Sequence, residues 1–191
     1  MPDPDTQEIR WYQPNPRAIF PLNGFIISRS LRRSMRNRGY TCTIDKCFAD
    51  VMLGCADREE TWINEEFLSA YQQLHREGSA HSIEVWKEQD LVGGVYGVHL
   101  GGAFFAESMF MRLRDASKVA LAYLVDILRA NHFTLLEVQF LTDHLASLGA
   151  IPIDHGDYLR LLDFALKQNC RFQLPESPTL GTAVKLEQES P

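Results

Sequence analysis

Residues 81–130 read HSIEVWKEQDLVGGVYGVHLGGAFFAESMFMRLRDASKVALAYLVDILRA. His81–Lys87 alternates apolar and polar positions, Glu88-Gln89-Asp90 interrupts the run, and Leu91–Leu100 resumes it. Gly101-Gly102 interrupts again before Ala103–Phe110. Alternation with period 2 puts successive side chains on opposite faces of a sheet, and two tight turns joining three such runs specify an antiparallel meander. Gly93-Gly94 within the second run predicts a bulge or a close backbone approach by a ligand. From Asp115 to Ala130 the apolar spacing becomes helical, with Asp115 or Ser117 as the cap. A meander followed by a strong helix points to a mixed α/β fold.

The same reading extends both ways. C-terminal to the helix, Thr134–Gln139 predicts a strand, followed by a helical segment to Leu148 with a stop at Gly149. Ile151–Ile153 predicts a short strand and Tyr158–Lys167 a helix; Pro175 and Pro178 mark an aperiodic tail. N-terminal to the meander, residues 1–8 read as a disordered tail. Residues 9–27, with three prolines, read as irregular chain laid on a core. Ser28 or Ser30 caps a short helix ending near Gly39, Tyr40–Ile44 alternates, and Asp45 caps a helix to about Cys55. Asp57–Trp62 is a polar loop. Asn64 caps a further helix that carries Phe67, Leu68, Tyr71 and Leu74 and is closed by Gly78. The predicted fold is α/β with one central, mostly antiparallel mixed sheet flanked by helices. The predicted organisation is a short N-terminal segment over 1–40, a main domain over 41–170 and a tail over 171–191.

The chain has 191 residues, enough for one domain with a sizeable core, and lacks a run of about 18 apolar residues for a membrane span. MPDPDTQEIR is too polar for a secretory signal, and Cys42, Cys47, Cys55 and Cys170 form no C-x-x-C pair. Free thiols in a reducing cytoplasm, without a metal, are the expectation.

Charge is unevenly spread. The net charge is −6, yet residues 9–40 hold seven arginines and no acid, leaving −13 for the rest. Five of them, Arg29, Arg32, Arg33, Arg36 and Arg38, fall in RSLRRSMRNR. Planar guanidinium forks suit phosphate oxygens, so this cluster is a candidate RNA contact; a solvated face paired with acids elsewhere is the alternative.

Nucleotide-hydrolysis, dinucleotide, α/β-hydrolase and zincin motifs do not occur. What stands out is polar residues set into apolar strands: Glu107 in AFFAESMF, and Glu137 and Gln139 in LLEVQFL. Period-2 spacing puts Glu137 and Gln139 on one face. A carboxylate among apolar neighbours has a raised pKa, as a general base near neutrality needs. The alternative is that both glutamates face solvent or pair with Arg or Lys. Trp62 could stack on a nucleobase or anchor the core. Phe104, Met109, Leu121 and Leu124 could line a side-chain pocket or be core. His81, His99, His144 and His155 have no ligand spacing.

Seven strings in one order resemble the leucyl/phenylalanyl-tRNA–protein transferase family: WYQPNPRAIFPL (11–22), ETWI (60–63), AYQQLHREGSAHSIEVW (70–86), LVGGVYGV (91–98), ESMF (107–110), ASKVAL (116–121) and DHLASLGA (143–150). The resemblance implies an N-acetyltransferase-like (GNAT) fold. It implies transfer of Leu or Phe from Leu-tRNA or Phe-tRNA to protein substrates with N-terminal Arg or Lys, without a cofactor or metal. It implies a catalytic carboxylate and glutamine at Glu137 and Gln139, with Glu where the family usually has Asp. By the same carry-over, Glu107 lies at the acceptor and aminoacyl site and Trp62 packs on the terminal adenosine; Asp143 is a candidate companion of Glu107 in favouring a cationic acceptor. Phe104, Met109, Leu121, Leu124 and Val95 line the aminoacyl pocket, and the five arginines hold the acceptor stem. Longer relatives carry more chain before the W-x-x-P-x-P-R motif and a second adenosine-binding aromatic, for which Trp11 could substitute. The rival readings are an acyl-CoA-dependent N-acetyltransferase, disfavoured by MRLRDASK in place of a glycine-rich pyrophosphate loop, and a non-catalytic tRNA-binding module.

Overall fold

The computed structural model describes residues 13–174 and 185–186, so the expectations for residues 1–8, Trp11 and the Pro175–Pro178 tail lie outside the described residues. The meander forms as the alternation requires: β3 (Ala80–Lys87), β4 (Asp90–Leu100) and β5 (Ala103–Met111) pair antiparallel in succession. β1 (Arg17–Phe20), β2 (Tyr40–Ile44), β6 (Leu135–Gln139), β7 (Ile151–Ile153) and β8 (Lys185–Leu186) complete an eight-stranded sheet in the order β7-β1-β6-β5-β4-β3-β2-β8. Among the described strands, only β5–β6 and β2–β8 pair parallel. The sheet is therefore mixed and mostly antiparallel, as expected.

Helix α4 (Ala116–Ala130) covers one face, with Val119, Leu121, Leu124, Val125, Ile127 and Leu128 buried against β2–β5. Burying each such side chain stabilises by roughly 1.5–3 kcal/mol relative to exposure, which makes this helix the main anchor of the core. Helices α2 (Phe48–Ala56) and α3 (Glu65–Arg76) cover the opposite face over β3–β5. Helix α6 (His155–Leu166) covers that face farther along, over β5 and β6. Two satellite clusters result, one around Tyr96 and Phe110 and one around Leu135 and Tyr158. Helices α1 (Arg29–Asn37) and α5 (Asp143–Ala146) complete the described set.

Several expectations need correction. The proline-bearing stretch 9–27 contains β1, whose partners β6 and β7 lie more than a hundred residues away. β1 thus lies inside the sheet, between β7 and β6. Ser28 and Asn64 cap as expected, their side chains accepting from Leu31 N–H and Phe67 N–H. Asp115 holds the N-cap position of α4 but its side chain makes no capping bond, and Asp45 gives way to Cys47 as the N-cap of α2; both aspartates adopt left-handed backbone, at φ 57° for Asp45 and 65° for Asp115. The Asp45 carboxylate accepts from Ser82 N–H at 2.9 Å, and that of Asp115 accepts from Ser34 Oγ–H at 2.6 Å. Helix α6 starts at His155 instead of Tyr158. Gly93 and Gly94 directly follow a bulge at Val92, but the close approach there comes from the protein itself. A Cβ on Gly93 would lie 2.6 Å from Ala116 Cβ, and one on Gly94 would lie 2.8 Å from the Ile83 carbonyl oxygen.

Candidate active site

The parallel pair β5–β6 sets Phe105 opposite Glu137, and each strand breaks its ladder just beyond that point. On β5, Tyr96 pairs with Ser108 and Gly97 with Ala106, leaving Glu107 as the extra residue of a bulge. On β6, Ile19 pairs with Glu137 and Ala18 with Gln139, leaving Val138 extra. Bulges re-aim side chains, and here they set the polar groups between the two satellite clusters.

The expected shared face of Glu137 and Gln139 does not arise from simple alternation. Gln139 has φ +62°, a conformation that costs a non-glycine residue about 1–2 kcal/mol. Its backbone N–H donates to Glu137 Oε1 at 2.8 Å, which offsets that strain, and its side-chain Nε2 donates to Glu107 Oε2 at 3.0 Å. The two glutamates are thus joined through one residue.

Glu137 is only 2% exposed, and its Oε1 also accepts from Arg17 Nη1 at 2.8 Å. The Arg17 guanidinium carbon lies 4.9 Å from the centre of the Tyr158 ring on α6. Burial raises the Glu137 pKa, while the Arg17 charge and the hydrogen bonds from Arg17 and from Gln139 N–H oppose that rise. The ion-pair alternative raised for these glutamates holds for Glu137. Removing one partner of such a buried pair costs about 3–5 kcal/mol.

Glu107 differs. Burial pushes its carboxyl up to about 7, against the Gln139 hydrogen bond; the Glu137 charge adds to the rise, while the Tyr71 hydroxyl and Arg17 charge oppose it. A group half-ionised near neutrality can both take and return a proton at small energetic cost. Among the thiols, burial pushes Cys47 and Cys55 up to about 12, which leaves them protonated and poorly nucleophilic at neutral pH.

Trp62 stands half-buried at the loop preceding α3, with the Phe67 ring edge-on at 5.3 Å and Tyr71 at 6.5 Å. Tyr71 in turn lies within hydrogen-bonding reach of Glu107 and 5.5 Å from the Tyr96 ring, so an aromatic row leads from Trp62 to the carboxylate. Arg58 donates to Cys55 O at 2.7 Å and to Ser108 Oγ at 2.9 Å, beside Glu107.

Val95, Phe104, Leu121 and Leu124 are all fully buried and belong to one core cluster, with Met109 half-buried at its margin. In this structure they act as core, and the Phe172 ring stacks on Phe104 at 5.4 Å. Asp143 is exposed in the first turn of α5, and among the described residues no hydrogen bond joins it to Glu107. The five arginines of α1 and its C-cap are all exposed. Arg29, Arg33 and Arg38 line a hollow of about 540 Å³ with Arg114, Ser30, Ser34 and Asn37; Arg32 and Arg36 do not line it. The sequence pattern gives Arg17, Tyr71, Arg58 and Arg114 no site role; the structure places them around the two glutamates and the arginine hollow. Arg17 could have been found as the cation closing WYQPNPR, the one charge in a stretch of aromatic and proline residues.

A family model described as leucyl/phenylalanyl-tRNA protein transferase matches residues 19–163. A leucyl/phenylalanyl-tRNA–protein transferase from Ruegeria sp. (strain TM1040) is 55% identical over 175 residues, covering 92% of this chain and 83% of that protein. One from Ruegeria pomeroyi is 58% identical over 164 residues, covering 86% and 77%. One from Jannaschia sp. (strain CCS1) is 51% identical over 177 residues, covering 92% and 84%.

Proposed function

The chain belongs to the leucyl/phenylalanyl-tRNA–protein transferase family, and on that premise we propose that it moves Leu or Phe from aminoacyl-tRNA onto the N-terminal Arg or Lys of a protein. The observation that carries the reading is the Gln139 bridge between the two glutamates, one titrating near neutrality and one buried with Arg17. The aminoacyl ester is already activated, so catalysis consists mainly of holding the amine against the carbonyl carbon. Glu107 takes a proton from the acceptor ammonium. The neutral nitrogen then attacks, the new C–N bond forms, the ester C–O bond breaks, and the ribose oxygen leaves with the proton given up by nitrogen. Gln139 holds Glu107 in place for this.

Glu137 is too enclosed to meet the amine itself, so its role passes through Gln139 rather than through direct proton abstraction. The family's usual Asp at this position is one methylene shorter; the Glu arm spans the distance to both Arg17 and Gln139 N–H. Trp62 stacks the terminal adenosine, a contact of roughly 1–3 kcal/mol per base. The arginine hollow, with Arg114 added to Arg29, Arg33 and Arg38, takes phosphates of the acceptor stem, and Arg32 and Arg36 extend the positive surface. The aminoacyl side chain packs on Met109, half-buried at the margin of that core, with Phe104, Val95, Leu121 and Leu124 closing the core behind it. Glu107, with Asp143 farther out, favours a cationic acceptor.

An acyl-CoA reading is disfavoured by Asp115, whose carboxylate occupies the start of α4 where a pyrophosphate would need positive potential. Among the described residues no helix is long and apolar enough to cross a membrane; action on cytoplasmic tRNA is part of the proposal. Labelled Leu from Leu-tRNA should reach a peptide beginning with Arg far faster than one beginning with Asp. Equal rates would refute the acceptor preference, and no transfer to either would refute the enzyme.

A further inference from the structure

We infer that Arg17 is a positioning residue for the transfer reaction: by holding Glu137 it fixes the turn at Gln139, and through that turn the amide that aims Glu107. The inference rests on the function proposed above. One oxygen, Glu137 Oε1, receives both Arg17 Nη1 and Gln139 N–H, each at 2.8 Å. The Gln139 side chain then delivers Nε2 to Glu107 Oε2 at 3.0 Å. Arg17 is itself fixed from several sides. Its backbone lies in β1 opposite Ile153 of β7, and its guanidinium sits over the Tyr158 ring of α6. A relay therefore runs from α6 and the sheet edge, through Arg17 and Glu137, to the carboxylate proposed to meet substrate.

The arrangement serves more than cohesion. Gln139 keeps a left-handed backbone only while its N–H has an acceptor at a fixed point, and a Glu137 carboxylate without Arg17 is free to rotate away. Displacing a catalytic group by about 1 Å can slow a reaction on the order of 100-fold. Lysine keeps the charge but lacks the planar fork that places one nitrogen on Oε1 while the group stacks on Tyr158. The polar groups facing Glu107 are Glu137 and Gln139 on β6, Tyr71 on α3, Tyr96 on β4, Arg17 on β1 and Arg58 through Ser108.

Three variants of the full chain test this: Arg17→Met, Arg17→Lys and the double change Arg17→Met with Glu137→Gln. Arg17→Met should lower kcat at least tenfold and leave KM for aminoacyl-tRNA unchanged. It should also move the Glu107 titration, read from carboxyl carbon-13 shifts, to higher pH. Loss of the Gln139 bond and of the Arg17 charge both act in that direction. Arg17→Lys should recover part of both. The double variant removes the stranded charge, so it should melt near the wild-type temperature yet stay slow. A wild-type kcat and titration in Arg17→Met, or full recovery of kcat in the double variant, would overturn the positioning role. If Arg17→Met fails to fold, the double variant decides. The titration needs no turnover: a protein inert in transfer that shows the expected shift would refute the proposed function, and with it the positioning role in transfer, while leaving only the structural hold of Arg17 on Glu107 standing.

Discussion

Glu107→Gln should make the protein slower and, above neutral pH, more stable. The side chain keeps its shape and its oxygen for Gln139 but loses its titration. With the carboxyl at about 7 instead of an ordinary 4.5, the folded state prefers the protonated form. That preference contributes stability below the unfolded value, and the contribution is lost as pH rises through the folded value. A shift of this size corresponds to at most about 3 kcal/mol, because burial disfavours the charge. The Gln variant escapes the penalty, so urea unfolding at pH 8 should show a gain of up to that amount and at pH 4 almost none. Activity should move the opposite way. The ionised fraction of Glu107 rises from about 9% at pH 6 to about 91% at pH 8, so wild-type kcat should climb roughly tenfold across that interval. Glu107→Gln should lose about 10²–10⁴ in kcat and flatten the acid limb. The assay is single-turnover transfer from saturating Leu-tRNA to an Arg-peptide between pH 5.5 and 8.5. A Glu107→Gln enzyme with wild-type rate and slope would refute the assignment of Glu107 as the proton acceptor.

Three further outcomes are expected. Trp62→Ala should weaken aminoacyl-tRNA binding by about 5- to 150-fold, matching the loss of one stacked base, while Trp62→Phe retains most of it; filter binding reads both. Replacing Arg29, Arg33 and Arg38 with Gln should lower the slope of log affinity against log salt by up to about 3, and replacing Arg32 and Arg36 by less, because only the first set shares the hollow with Arg114. Leu124→Ala, at a position with no exposed surface, should destabilise by about 2–5 kcal/mol in urea titration; a much smaller loss would show that the site is not packed as core.

The meander, the α4 helix and the Ser28 and Asn64 caps were legible because each depends on local spacing or on a side chain three residues from its partner. β1 was not legible. Four residues among prolines carry too little periodicity, and what makes them a strand is pairing with β6 and β7. Asp45 and Asp115 misled for a related reason. A capping aspartate and one that bonds a distant group look alike in sequence, and here Ser82 and Ser34 supplied the stronger local geometry.

The residue types needed for the chemistry could be read directly: two glutamates and a glutamine within apolar strands, an arginine-dense helix and an indole before α3. Their meeting could not. Glu137 finds Arg17 across 120 positions of chain, Gln139 finds Glu107 across 32, and both contacts rest on bulges that interrupt the alternation. Side-chain period is a property of a single strand and is written along it. Which strands become neighbours, and where the ladder slips by one residue, follows from packing the helices on both faces of the sheet, and that packing sets which glutamate is enclosed with a cation and which is left to titrate.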